Sequence, residues 1–161
     1  MDLLLAFATT LALVVLSLGA GWLWRSRTGR VRRSAPAQVD LLTLLPRASH
    51  VAPTGDAAGS PPTPGERATL VQLSSDLCSS CGPARRVLSQ YAQAHPGVVH
   101  AEINLTVHPE LAGELRLLST PTTVIFDGDG KERGRITGAP RKAELAEHLS
   151  ELWEAADVVT A

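Results

Sequence analysis

The chain is poor in cysteine, in aromatic side chains and in net charge. Only two cysteines occur among its 161 residues. A scaffold stapled by several disulfides is therefore excluded, and if the two act together they act as one pair. Aromatic residues make up 4% of the chain, so a core has to be built mostly from leucine, valine and alanine. A net charge of −1 gives no electrostatic footprint for nucleic acid, and no such partner is expected. No Lys or Arg precedes the first apolar run, where a cleaved signal peptide would carry a basic region. No Gly-x-Ser-x-Gly is present, which removes the nucleophile elbow of serine hydrolases. No internal repeat is visible.

What is present centres on Ser74-Ser75-Asp76-Leu77-Cys78-Ser79-Ser80-Cys81-Gly82-Pro83. The apolar run Ala68–Leu73 leads into it, and a helix-like stretch from Ala84 to His95 leads out. A strand that delivers Cys-x-x-Cys to a helix start is a redox device. The helix N-terminus carries partial positive charge and unpaired N–H groups, and both stabilise a thiolate. Cys78 is then the nucleophile and Cys81 the resolving thiol.

Residues Leu3 to Trp24 are almost wholly apolar. As a helix this run would be roughly 33 Å long, enough to span a bilayer core. Trp22 and Trp24 lie at its end, where interfacial aromatics belong. The rival readings are a buried core helix, disfavoured by the lack of any polar face, and a cleaved signal peptide. Arg25, Arg27, Arg30, Arg32 and Arg33 follow at once. They read as a stop-transfer cluster in contact with lipid headgroups, and basic flanks stay on the cytoplasmic side. The expectation is a single-pass anchor with its N-terminus outside and the rest of the chain cytoplasmic. The alternative is an extracytoplasmic domain.

Organisation follows from composition. Residues 1–24 are the anchor and 25–33 a basic juxtamembrane segment. Residues 34–66 hold six of the eleven prolines and read as a Pro/Gly-rich linker that buries little. Within it, Val39–Leu45 reads either as a short helix on the membrane or on the domain, or as an unstructured apolar patch. Residues 67–156 have globular patterning, and 157–161 form a tail. The expected order is strand 68–74, helix 82–95, strand 98–105, helix 109–118, strand 122–126, a turn at Asp127-Gly128-Asp129-Gly130, strand 132–137 and a helix from Pro140 to about Ala156. Leu111, Leu115 and Leu118 are the expected apolar face of helix 109–118, and Leu145, Leu149, Leu152 and Trp153 that of the last helix. This is a mixed α/β order.

With Cys-x-x-Cys after the first of these strands, Asn104 and Pro109 between strand and helix, Thr120-Pro121-Thr122 before the hairpin and Gly138 behind it, the stretch from Glu66 to Ala156 resembles the thioredoxin family. The resemblance implies a thioredoxin-like three-layer sandwich with a mixed central sheet, preceded here by one transmembrane helix. It implies thiol–disulfide exchange with protein substrates and an unidentified electron donor or acceptor. Pro121 matches the family's cis-proline beside the cysteine pair, and the Thr120 backbone would bind the substrate chain. The departures are specific. Leu77 stands where the family has Trp, and Ser79-Ser80 fill the gap between the cysteines. Gln72 replaces a buried Asp and cannot titrate, and Glu102 replaces a partnering Lys. If Glu102 points inward it becomes a candidate proton relay; otherwise it is a solvated strand-edge carboxylate. Pro83 would loosen the first helical turn by removing a hydrogen bond.

No cofactor and no metal are expected. His50, His95, His100, His108 and His148 are scattered and complete no zinc pattern with the cysteines. The two rivals to an oxidoreductase are a redox-inactive adaptor of the same fold and a copper-binding or redox-sensing module built on the cysteine pair.

Overall fold

A computed structural model of the chain describes residues 2–27, 31–32, 40–52 and 63–159, with side chains over 7–21, 40–52 and 63–154. Its elements are α1 (Asp2–Arg27), β1 (Val31–Arg32), α2 (Leu41–Leu44) running into a 3-10 turn (Leu45–Arg47), β2 (His50–Ala52), β3 (Ala68–Ser74), α3 (Cys81–Ala94), β4 (Val98–Asn104), α4 (Glu110–Glu114), β5 (Thr122–Asp127), β6 (Glu132–Thr137) and α5 (Lys142–Val159).

The six strands form one sheet in the order β1-β6-β5-β3-β4-β2. Only β3 and β4 run parallel, joined by α3 as the crossover; the other pairings are antiparallel. The mixed sheet expected from the sequence is therefore present. Every residue of β3 is buried, as a central strand covered on both faces must be. One face packs Leu70, Ile125 and Ile136 against Leu88 and Tyr91 of α3 and Leu145 and Leu149 of α5. The other packs Val71, Leu73, Ile103 and Phe126 against Leu111, Leu115, Leu41, Leu44 and Leu45. Three layers result.

Residues 40–52, inside the stretch expected to be linker, are part of this domain. Asp40 caps α2 by accepting the Leu42 N–H at 3.0 Å. Leu41, Leu44 and Leu45, spaced i, i+3, i+4, are at most 2% exposed. Of the stretch Val39–Leu45, Leu41–Leu44 is the docked short helix, and Val39 lies outside the described residues. The physical reason is that α4 alone is one short helix and leaves the second sheet face uncovered. β2 then pairs with β4 at His50↔Glu102 and Ala52↔His100. β1 lies in the basic juxtamembrane segment and pairs with β6 at Val31↔Ile136 and Arg32↔Arg135. Within these two segments, residues 28–30, 33–39 and 53–62 lie outside those described.

Other differences are local. α4 stops at Glu114, because Arg116 takes a positive φ of 51°. Leu111 and Leu115 are buried as expected, but Leu118 leaves the helical spacing and is 99% exposed. Pro83 costs no helix bond. It occupies the first turn, whose N–H groups have no intrahelical acceptor, and the first such bond runs from Ala84 N–H to Ser80 O at 3.1 Å. In the β5–β6 turn, Gly130 takes φ 75°, while Asp127 Oδ1 accepts the N–H groups of Asp129 and Lys131.

α1 is a 26-residue helix. Its described side chains are all exposed, with Phe7, Leu11 and Leu16 at 72%, 66% and 70%. Among the described residues no helix is long and apolar enough to cross a membrane. The expected anchor, residues 3–24, extends beyond the described side chains of α1 at both ends.

Candidate active site

The site forms where β3 and β4 end and α3 begins. β3 delivers the chain to Ser75, and Cys78 N–H turns back to Ser75 O at 3.1 Å. Cys81 opens α3. Cys78 and Cys81 are joined as a disulfide with their Cα atoms 5.4 Å apart. Cys81 is 5% exposed, whereas Cys78 is only half-buried. One sulfur is open to attack and the other is shielded by the helix start.

The Thr120–Pro121 peptide bond is cis, in agreement with the expected identity of Pro121. Thr120 is tied to the cysteine loop through Ser75, with the two hydroxyl oxygens 3.3 Å apart. Gly138, at φ 86°, donates its N–H to Pro121 O at 2.8 Å. That positive φ favours glycine. The structure therefore brings Cys78, Cys81, Thr120 and Pro121 to one end of the sheet.

Glu102 points inward and is 1% exposed; the solvated-edge alternative does not hold. It sits opposite Gln72 in the β3–β4 register. Gln72 Nε2 donates both to Cys81 O at 3.1 Å and to Glu102 Oε1 at 3.3 Å. Arg85, one turn along α3 from Cys81, grips the carboxylate with two donors, Nε to Oε2 and Nη2 to Oε1. That hydrogen bond holds the guanidinium still more firmly protonated than usual. A cavity of about 260 Å³ joins this carboxylate to the disulfide, with Cys78, Cys81, Arg85, Glu102, Ser49 and Asn104 in its wall.

Arg85 and Ser49 were not foreseen. Arg85 reads in sequence as a helix-surface charge, and its only signal is its four-residue spacing from Cys81. Ser49 lies in the stretch read as linker. It donates N–H and Oγ to Glu102 O at 2.7 and 3.1 Å, so the docked segment supports the strand that carries the carboxylate. Among the described residues no group of three His, Cys, Asp or Glu is placed to hold a metal ion.

The polar seam continues beneath α3. His100 is fully buried, its Nδ1 2.9 Å from Ser89 Oγ, and its ring meets His50 edge-on at 6.0 Å between centroids. Desolvation lowers its pKa to about 4, against a partial opposing pull from Glu102. The sign follows. The unfolded chain, with its histidine near 6.5, binds this proton more readily than the folded one. Stability is full above pH 6.5, declines as pH falls from there to about 4, and levels off below. The loss approaches roughly 3 kcal/mol. Urea unfolding at stepped pH should show this slope in the native chain and lose it in His100→Gln. An unchanged slope in that variant would assign the effect to other groups.

The profile of the thioredoxin-like domain matches residues 62–153. The thioredoxin of Alicyclobacillus acidocaldarius is 28% identical over 91 residues, which is 56% of this chain and 86% of that protein. The thioredoxin of Methanocaldococcus jannaschii is 35% identical over 78 residues, 48% of this chain and 86% of that protein. Among solved structures, thioredoxin from Trypanosoma brucei brucei aligns with a TM-score of 0.48 at 23% identity, covering 56% of this chain and 78% of that one.

Proposed function

The chain belongs to the thioredoxin-like domain family, and on that footing we propose that it is a membrane-tethered enzyme exchanging the Cys78–Cys81 dithiol and disulfide with protein substrates. Its thioredoxin relatives and its cysteine pair make it a thiol–disulfide oxidoreductase. The single observation that carries the residue roles is the unequal exposure of two bonded cysteines at the start of α3, beside a cis proline.

In the reducing direction, Cys78 thiolate attacks one sulfur of a substrate disulfide. That S–S bond breaks, the departing substrate sulfur takes a proton, and a mixed disulfide remains. Cys81 thiolate then attacks Cys78 sulfur. The substrate leaves as a dithiol, two electrons have passed to it, and Cys78–Cys81 is oxidised. The positive end of α3 favours the Cys78 thiolate. Glu102 is the carboxylate placed to take the Cys81 proton, because it shares the cavity with that residue and is linked to its backbone through Gln72. Thr120 and Pro121 present the backbone against which the substrate chain lies.

The membrane tether is supported by the absence of any charged side chain from residues 3–24 and by the outward-facing Phe7, Leu11, Leu13 and Leu16 of α1, which no aqueous surface favours. We place the domain on the cytoplasmic side, from the arginines that follow the helix. Reconstituted with dithiothreitol as donor, the full chain should accelerate reduction of a soluble disulfide-bonded protein; no acceleration refutes the exchange reading. In intact cells, a membrane-impermeant maleimide should label neither cysteine until the membrane is broken. Labelling of intact cells after reduction alone would place the domain outside.

A further inference from the structure

The sheet register fixes which end of the domain the N-terminal helix approaches. One row of paired residues crosses all six strands: Val31, Ile136, Thr123, Gln72, Glu102 and His50. It lies at the end where β3 and β4 run out towards Cys78 and where β5 begins after Pro121. β6 runs towards that end, since Thr137 pairs with Thr122. β1 is antiparallel to β6, so it runs away from it. The chain before Val31 therefore enters the sheet from the active-site end.

Only three residues separate Arg27, the last of α1, from Val31. Fully extended, that connection reaches at most about 14 Å. β1 is three strand spacings from β3, again about 14 Å. A helix ending in the bilayer surface thus keeps the disulfide end of the sheet close to that surface, on whichever side the domain lies. The long Pro-rich stretch does not intervene, because it follows β1 instead of preceding it.

A second observation points the same way. Leu77, Val107 and Leu118 are 99%, 68% and 99% exposed, and all three lie on loops at this end. Their loops are laced together: Asp76 N–H donates to Thr106 Oγ1 at 3.2 Å, Asn104 Nδ2 to Asp76 Oδ1 at 2.7 Å, and Ser75 meets Thr120 at 3.3 Å. The reactive cysteine's end of the sheet thus carries three exposed apolar side chains on loops that are bonded to one another.

We propose that the substrates are membrane-spanning proteins whose disulfide lies within a few residues of the bilayer surface, presented to Cys78 across these apolar side chains. The proposal rests on the membrane-tethered exchange reading above. The step is the same exchange: substrate disulfide reduced to dithiol, Cys78–Cys81 oxidised, and dithiothreitol as reductant in the assay.

The test uses the full chain in phospholipid vesicles and two probes of one disulfide sequence. One is a single-span peptide in the same vesicles with the disulfide near the surface. The other is the free soluble peptide. A flexible Gly/Ser insert of about twenty residues between Arg27 and Val31, reaching roughly 25 Å, should cut exchange with the membrane-borne probe roughly fivefold by diluting the site away from the surface. Exchange with the soluble probe should not change. Equal rates with and without the insert, for both probes, overturn this proposal alone. A chain that exchanges with neither probe overturns the oxidoreductase reading, and one that stays out of the vesicles overturns the membrane tether; either takes this proposal with it.

Discussion

Cys78→Ser should bring disulfide exchange down to the rate without protein, and Cys81→Ser should also stop turnover but leave a covalent trace. The asymmetry comes from where the two sulfurs sit. Cys78 is half-buried and accessible; Cys81 is 5% exposed beneath it. A substrate sulfur can reach the first and is blocked from the second. Serine at 78 offers an alcohol that stays protonated at neutral pH and does not attack sulfur, so no mixed disulfide forms. Serine at 81 leaves the Cys78 nucleophile in place but removes the group that resolves the adduct. Non-reducing electrophoresis after incubation with a disulfide substrate separates the cases. An adduct on Cys78→Ser, with none on Cys81→Ser, would exchange the roles assigned to the two residues.

Leu44→Ala is expected to cost about 2–5 kcal/mol of folding free energy, the range for a buried leucine truncated in a packed core. Leu44 is 0% exposed and joins Val71, Leu73, Ile103 and Phe126 in the core under the second sheet face. Its neighbour in the same four-residue helix supplies the control. Leu42 is 63% exposed, and Leu42→Ala should stay within about 0.5 kcal/mol of the native chain. Urea midpoints of the two variants decide it. Equal midpoints would mean that α2 is a passenger on the sheet and not part of the core. A large gap makes residues 40–52 an integral part of the domain, although they lie inside a stretch whose overall composition is that of a Pro/Gly-rich linker.

The cysteine motif was legible because its signals are local. A strand-like run, two cysteines three apart and a helical stretch lie within thirty residues, and chain connectivity alone keeps them together. The cis position of Pro121 was reached through the resemblance and the β5–β6 turn through its glycines. Leu118 was misplaced because a periodic apolar spacing was extended past Arg116, where the positive φ ends the helix.

Glu102 was open in the sequence for a different reason. A strand's side chains alternate, so one residue of phase decides inside from outside. Where both faces are covered the apolar pattern no longer gives that phase. β4 is such a strand, with His100, Ala101, Glu102 and Ile103 all buried in succession. Only the register against Gln72 and the arrival of Arg85 from α3 settle the carboxylate's place.

By itself, then, the sequence determined what depends on neighbours along the chain: the apolar N-terminal run, the order of strands and helices, and the redox pair between a strand and a helix. The tertiary structure decided what depends on residues distant in sequence. It buried Glu102 against Arg85, docked α2 under the sheet, and paired β1 with β6 so that β1 begins at the disulfide end. Those outcomes follow from which sheet face lacked cover and which edge lacked a partner, and neither exists until the strands have been assembled.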